Sequence, residues 1–508
     1  MTRPNILLIT SDQQRGDCYG FEGRAVRTPH LDQLAREGTR FSACITPNAV
    51  CQPSRASILT GLLPRTHGVH DNGIDLDPAI GERGFAAALS RSGYDTGFIG
   101  KAHFATFHTF EPTGTPECLA SSARYAADWN GPYMGFGSVE LMLVGHNWFL
   151  PEVPPHGQHY ERWYHASGQG PLRNRLYASH RGGTHDAAQT FHSQLPPAWH
   201  NSTWTADRAI AWLRDHRERP FCAWVSFPDP HHPFDCPEPW SRLHHPDEVD
   251  LPEHRTRDLD RRPWWHRAAL ESEPEGSARS IDIRKAYSRL PPQSDRQLRE
   301  IIANTYGMIA LIDHNVGRIL KALEENGLAE NTIVVYSTDH GDWLGDHGLI
   351  LKGPMLYEGL LRIGCIFRGP GIPAGRCVED PVSTLDLAPT FLDYAGSAPL
   401  LDPHGVSLRD LIENRAGSGR DFARSEWELL PGRVGVALSL QTVRTRTDKL
   451  TLDLRSGAGE LYDLRNDPHE MENRFDDPAY AARRRELEDM IRARPDDMRP
   501  VGTAIGMA

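Results

Sequence analysis

The run Thr332–Ser337 (TIVVYS) carries no charge and does not alternate polar with apolar side chains. Such a strand buries both faces, which places it inside a sheet covered by helices on each side. The stretch before it supplies one cover: apolar residues at Ile301, Ile309, Ile312, Val316, Ile319 and Leu323 give a helical period over about 297–326, and Gly327 marks its end. Asn5–Thr10, Tyr94–Ile99 and Pro220–Phe227 also read as strands. Between them, Thr28-Pro29 opens a helix through Leu31, Leu34 and Ala35, and Phe85–Leu89 is helical. Strands alternating with helices predict an α/β fold with a mostly parallel sheet sandwiched by helices.

Two stretches break this rhythm. Residues 104–200 and 232–295 are rich in Pro, His, Trp and Tyr and poor in periodicity. Their aromatic content argues against disorder, so they read as ordered insertions over a site. Trp129, Tyr133, Trp148, Trp163 and Trp240 are candidates for a substrate wall, while each taken singly reads as a packing residue. Beyond about residue 415 the pattern shifts to short strands (Val434–Leu440, Leu450–Leu454) and a final helix near Ala481–Arg494. The expected organisation is a catalytic domain over 1–415 and a C-terminal α+β subdomain over 416–508 with a short antiparallel sheet.

Composition excludes several classes. Against 55 basic residues stand 67 acidic ones, a formal −12, the opposite of a duplex-coating surface. No apolar run approaches the roughly 20 residues that cross a bilayer. The first strand begins almost at Met1 with no cleavage site, and the eight cysteines show no paired spacing, so a cytoplasmic location is expected.

Four strands end in dense polar clusters: Thr10-Ser-Asp-Gln13, Gly100-Lys-Ala-His103, Pro228-Asp-Pro-His231 and Ser337-Thr-Asp-His-Gly-Asp342. Ligands of open α/β sheets bind beyond the carboxyl ends of strands, where residues distant in sequence converge. Asp12, Gln13, Asp339 and His340 offer hard oxygens and one imidazole, a set suited to Ca²⁺, Mg²⁺ or Mn²⁺. A fifth segment sets Cys51 before an apparent helix from Ser54 to Leu59, with Arg55 nearby, so that an anion at Cys51 would meet the positive helix end.

Cys51-Gln52-Pro53-Ser54-Arg55 resembles the Cys-x-Pro-Ser-Arg signature of type I sulfatases, members of the alkaline phosphatase superfamily whose cysteine is oxidised to formylglycine. The likeness continues through Thr28–Gly38 (TPHLDQLAREG), Ile58–Gly68 (ILTGLLPRTHG), Gly100–His103 (GKAH), Ser337–Gly348 (STDHGDWLGDHG), Leu351–Gly353 (LKG) and Leu461–Asn473 (LYDLRNDPHEMEN). It implies an alkaline phosphatase-like mixed sheet and hydrolysis of a small sulfate ester. It also implies one divalent metal, Ca²⁺ first with Mn²⁺ or Mg²⁺ as alternatives, held by Asp12, Gln13, Asp339, His340 and the modified Cys51. Further roles follow from it. Lys101 and Lys352 would stabilise charge on the sulfuryl oxygens, and His231 would protonate the leaving group. His103 and Arg55 would serve the second hydroxyl of hydrated formylglycine, and Asn72 would contact substrate. The implied partner is a formylglycine-generating enzyme, and the insertions leave room for a homo-oligomer. The pairs Asp12-Gln13 and Asp339-His340 resemble the branch containing choline-sulfatase-like enzymes and phosphonate monoester hydrolases. Within it, Lys101 with His103, and Ser54, are of sulfatase type; the phosphonate enzymes carry hydroxyl residues and Ala there. A phosphonate monoester or phosphodiester hydrolase is therefore the alternative, and a catalytically dead anion binder is disfavoured because every core position is filled.

Overall fold

The computed structural model describes residues 3–145, 153–179, 181–182, 185–415 and 419–507. Its main sheet has eight strands: β1 (Asn5–Ser11), β2 (Thr39–Phe41), β3 (Asp95–Gly100), β4 (Ser138–Leu141), β5 (Phe221–Ser226), β6 (Thr332–Thr338), β7 (Cys365–Arg368) and β8 (Arg376–Val378). They lie in the order β8-β2-β7-β6-β1-β5-β3-β4, with only β7 antiparallel to its neighbours. The fold is thus α/β with a mixed, mostly parallel sheet, as the alternation of strands and helices requires.

The principal helices are α1 (Pro29–Glu37), α2 (Cys51–Thr60), α3 (Phe85–Arg91), α4 (Asn201–Asp215), α5 (Asp295–Glu325), α6 (Leu387–Ala395) and α7 (Ala481–Arg492). Successive side chains of β1 point to opposite faces. Ile6 and Leu8 enter a core with Phe85 of α3 and Phe391 of α6. Leu7 and Ile9 enter the other, with Leu31 of α1, Ala206 of α4 and Ile312 of α5. Full burial of β1 and β6 follows from helices on both sides. Helix α5 begins earlier than its apolar period shows, because Ser294 and Gln297 form a reciprocal cap: Ser294 N donates to Gln297 Oε1 at 2.9 Å and Gln297 N to Ser294 Oγ at 3.3 Å.

The two insertions are joined to each other. Thr190–Ser193 from the first pairs in parallel with Phe234–Pro237 from the second, and Arg181–Gly182 completes a small sheet. Toward the C-terminus, Phe422–Leu429, Leu438–Thr445, Asp448–Asp453 and Gly459–Asp463 form an antiparallel sheet of four strands covered by α7. The strand expected over Val434–Leu440 starts late: Pro431–Val434 is a helical turn, ended by Gly435 in the left-handed region. The expected junction near residue 415 adjoins residues 416–418, outside the described residues.

The C-terminal sheet bears on the loop that precedes Cys51. Glu426 N donates to Pro47 O at 2.9 Å, and Asn48 Nδ2 donates to Glu426 O at 2.7 Å. Among the described residues, no helix is long and apolar enough to cross a membrane.

Candidate active site

The carboxyl ends of β1, β3, β5 and β6 meet the first turn of α2 in one pocket. Cys51 is the first residue of that helix rather than a residue before it, with Val50 at the N-cap. The helix dipole therefore acts on the thiol directly.

Asp12, Cys51, Asp339 and His340 are buried, and each brings one donor atom within 4.8 Å of the others. Cys51 Sγ lies 3.1 Å from His340 Nε2 and 3.5 Å from Asp12 Oδ1. Gln13 joins them from a left-handed backbone, φ 66°, a strained conformation of the kind that persists where surroundings impose it. Its N–H donates to Asp339 Oδ1 at 3.0 Å. Asp342, which sequence reasoning did not single out, accepts from Gln13 Nε2 and so turns the amide oxygen toward the site. Its other oxygen accepts from Leu344 N and Leu351 N at 2.7 and 2.9 Å.

Arg55 is fully buried and spans three strand ends. Its Nε donates to Asp339 Oδ2 at 2.9 Å, and its Nη1 reaches Lys101 O and Ser226 Oγ, both at 2.7 Å. Thr46 and Ser54 hydroxyls each donate to Asp339 O at 2.6 Å, so Ser54 positions the β6 terminus. Gly100 is held at φ 108°, where a side chain would collide with the Ser226 carbonyl. Lys101 can thereby leave β3 toward Asp12 Oδ2, 2.5 Å away.

Lys352 converges on the same point. Its Nζ is 2.7 Å from Gln13 Oε1, 2.9 Å from His231 Nε2 and 3.4 Å from Cys51 Sγ. His231 Nδ1 faces His232 O at 2.6 Å, which assigns the ring proton to Nδ1 and leaves Nε2 to accept from Lys352. His232 turns instead to Gln189 Oε1 at 2.8 Å. His103, at φ 55°, adjoins Cys51, and neither ring nitrogen otherwise reaches a hydrogen-bond partner among the described residues. Asn72 lines the pocket and accepts from Gln52 N at 3.0 Å.

Charge sets the protonation states. Burial pushes the Cys51 thiol up, but Lys101, Lys352 and His340 outweigh it and hold the group well below the ordinary thiol range. Burial and the adjacent thiol raise Asp12, while Lys101, His231 and Arg55 bring it down to about 2. Burial and Lys352 push His231 down to about 4. Lys101, Lys352 and Arg55 stand against the carboxylates Asp12 and Asp339 and the depressed Cys51 thiol, so negative charge at Cys51 is met by cationic side chains.

The structure brings together the polar residues singled out from sequence: Asp12, Gln13, Cys51, Arg55, Lys101, His103, His231, Asp339, His340 and Lys352 around one point, and Asn72 at its edge. The four described aromatics named as wall candidates pack instead, as each reads when taken singly. Trp129 and Tyr133 pack on the main core, Trp163 on Tyr160 and Trp204, and Trp240 beside His314; Trp148 lies outside the described residues. Phe107, Met142, Leu143, Ile283 and Tyr287 line the pocket instead. Unperiodic insertions carry no signal that separates lining residues from packing ones.

A family model described as Sulfatase matches residues 4–397. The chain belongs to the sulfatase family. A second model, described as the C-terminal part of N-sulphoglucosamine sulphohydrolase, matches residues 345–496 of this sulfatase. An arylsulfatase of Clostridium perfringens is 29% identical over 95% of this chain and 92% of its own length. A choline-sulfatase of Rhizobium meliloti is 27% identical over 81% of this chain and 72% of its own length. Among solved structures, the phosphonate monoester hydrolase of Agrobacterium radiobacter superposes with a TM-score of 0.77 at 28% identity, covering 97% of this chain and 95% of that one. The sulfatase is thus a sulfuric ester hydrolase of the alkaline phosphatase superfamily.

Proposed function

We propose that this sulfatase hydrolyses a small sulfate ester at Cys51 after oxidation of that residue to formylglycine, with a divalent metal held by Asp12, Gln13, Asp339 and His340. The observation that carries the reading is the convergence of two ammonium groups, Lys101 and Lys352, on Cys51 Sγ at 3.9 and 3.4 Å beside a buried oxygen-rich cluster. That donor set fits the metal: two carboxylates, an amide oxygen and an imidazole, all buried, with acceptor oxygens that already draw cationic side chains. A bound metal, Ca²⁺ first among the hard ions, supplies a Lewis acid, and the hydrated formylglycine supplies a hydroxyl to attack sulfur and a second hydroxyl that lets sulfate leave with return of the aldehyde.

The chain's own residues do the remainder. Lys101 and Lys352 face the sulfuryl oxygens and stabilise the charge that gathers on them. The His231–Lys352 pair holds the proton for the leaving oxygen: Lys352 donates to His231 Nε2, and a proton passed across that contact to Nε2 would go on to the ester oxygen as its bond to sulfur breaks. His103 lies beside Cys51 with its nitrogens available for the second hydroxyl's proton. Arg55 fixes Asp339 and the Lys101 backbone, and so holds the distance between metal ligands and cation. Maturation requires a formylglycine-generating enzyme as partner.

Phosphonate monoester hydrolysis is the second reading, favoured by the 28% identity and 0.77 TM-score to the Agrobacterium radiobacter enzyme. Lys101 and His103 at the reacting centre support sulfate. The deciding experiment co-expresses the chain with a formylglycine-generating enzyme, verifies the aldehyde on the Cys51 peptide by mass, and compares kcat/KM for p-nitrophenyl sulfate and p-nitrophenyl phenylphosphonate. A preference for sulfate is expected; a preference for the phosphonate overturns the assignment.

A further inference from the structure

One wall of the pocket is a helix from the second insertion, Ala278–Ser288. Ile283, Arg284, Tyr287 and Ser288 all line the pocket, and their spacing places them on one helical stripe, while Asp282, Lys285 and Ala286 are exposed. Tyr287 anchors the helix above the reacting centre: its ring packs on His232 at 4.3 Å, and its hydroxyl donates to His232 O at 3.3 Å.

Arg284 is partly buried, and no carboxylate lies within ion-pair distance of it among the described residues. Arg433 enters the same pocket from the C-terminal segment. It pairs with Asp71 at 2.9 Å and lies over the Trp427 ring at 5.2 Å. Two guanidinium groups therefore share one nearby carboxylate. Burial and Arg433 together push Arg284 down to about 10, with Asp71 opposing. An unpaired, partly desolvated guanidinium facing a cavity is costly unless a ligand completes it. The carboxylate that does line the pocket, Glu117, is held through Oε1 by Phe104 N, Ala105 N and the Tyr133 hydroxyl.

We infer that Arg284, with Arg433 behind it, forms a leaving-group subsite for an anion, so that the substrate is a sulfate ester whose apolar or aromatic body carries a carboxylate or similar anionic oxygen group. The inference rests on the sulfatase reading and specifies its substrate class. Phe107, Met142, Leu143 and Tyr287 supply walls for the body of the ester. A cationic, choline-type leaving group would meet two guanidinium groups there.

The test uses the matured full-length protein and three aryl sulfates whose charged group is insulated by one methylene: para-(carboxymethyl)phenyl, para-ethylphenyl and para-(trimethylammoniomethyl)phenyl sulfate. The expected order of kcat/KM follows that sequence, with the first exceeding the second by about tenfold, as a charge-assisted guanidinium–carboxylate contact gives. In Arg284→Ala the carboxymethyl-to-ethyl ratio falls toward one, and Arg284→Lys retains part of it. Equal rates or a reversed order in the unmodified sequence overturn the inference, as does a ratio unchanged in Arg284→Ala. Failure of the sulfatase reading itself shows separately, as no sulfate released from the ethyl ester, and the anion preference is then read on the matching phenylphosphonate esters.

Discussion

Lys352 Nζ lies 2.9 Å from His231 Nε2, an ammonium donating to an imidazole that joins the site from another strand end. The contact explains why His231 is held down to about 4, after burial itself, and it makes the two side chains one proton-holding unit. Lys352→Ala therefore removes both a cation 3.4 Å from Cys51 Sγ, proposed to face the sulfuryl oxygens, and the hydrogen bond that orients His231. A loss of about 10²–10³-fold in kcat is expected. His231→Asn should cost most with poor leaving groups; equal losses for nitrophenyl and alkyl sulfates would remove His231 from proton delivery.

Cys51→Ala should abolish turnover while leaving the fold intact. Cys51 is buried at a helix start, and Ala removes one sulfur without adding volume. Retained turnover in this variant, with circular dichroism unchanged, would sink the formylglycine assignment.

Asp342 acts through Gln13. Its carboxylate fixes the Gln13 amide, so Asp342→Ala frees the oxygen proposed as a metal ligand. Metal affinity should fall by about 10–100-fold, as for lost outer-sphere partners elsewhere. Calorimetric titration of chelator-treated protein with Ca²⁺ or Mn²⁺ checks this, and an unchanged affinity would take Gln13 out of the ligand set.

Glu117 gives the fold a pH dependence. Burial raises its carboxyl to about 7 from 4.5, although Tyr133 and the backbone of residues 103–105 draw it down. The folded state binds the proton more tightly than the unfolded chain, so its contribution to stability is present below pH 4.5 and lost as pH rises to about 7. The full difference is about 3 kcal/mol. Glu117→Gln should flatten urea midpoints measured across that window; an unchanged slope would contradict the burial argument.

Trp224 of β5 packs against Phe85, Phe98, Phe104 and Phe136, and its Nε1 donates to Thr10 Oγ1 at 2.8 Å. Trp224→Ala should cost about 3–5 kcal/mol, read from denaturant unfolding. A loss under about 1 kcal/mol would mean the cluster collapses to fill the cavity.

Much of the centre is legible in the sequence because it is built from contiguous pieces. Each strand carries its polar residues immediately after its last apolar one, so Asp12, Lys101, His231 and Asp339 can be placed at strand ends from local pattern alone. The parallel sheet then brings those ends together, because parallel strands share one carboxyl edge. The residues around Cys51 are likewise local, within one helical turn.

Tertiary structure alone decided the rest. That Asp342 holds Gln13, that Lys352 donates to His231, and that Arg284 and Arg433 share one pocket are relations between segments more than a hundred residues apart. Nothing in the local pattern encodes them, since each depends on how segments distant in sequence come to rest against one another. Period-2 and 3.6-residue patterns report which face of an element is buried; they carry no information on which distant side chain completes a hydrogen bond or a charge. The grouping of the centre's residues thus follows from sequence, and the walls of the pocket follow from packing.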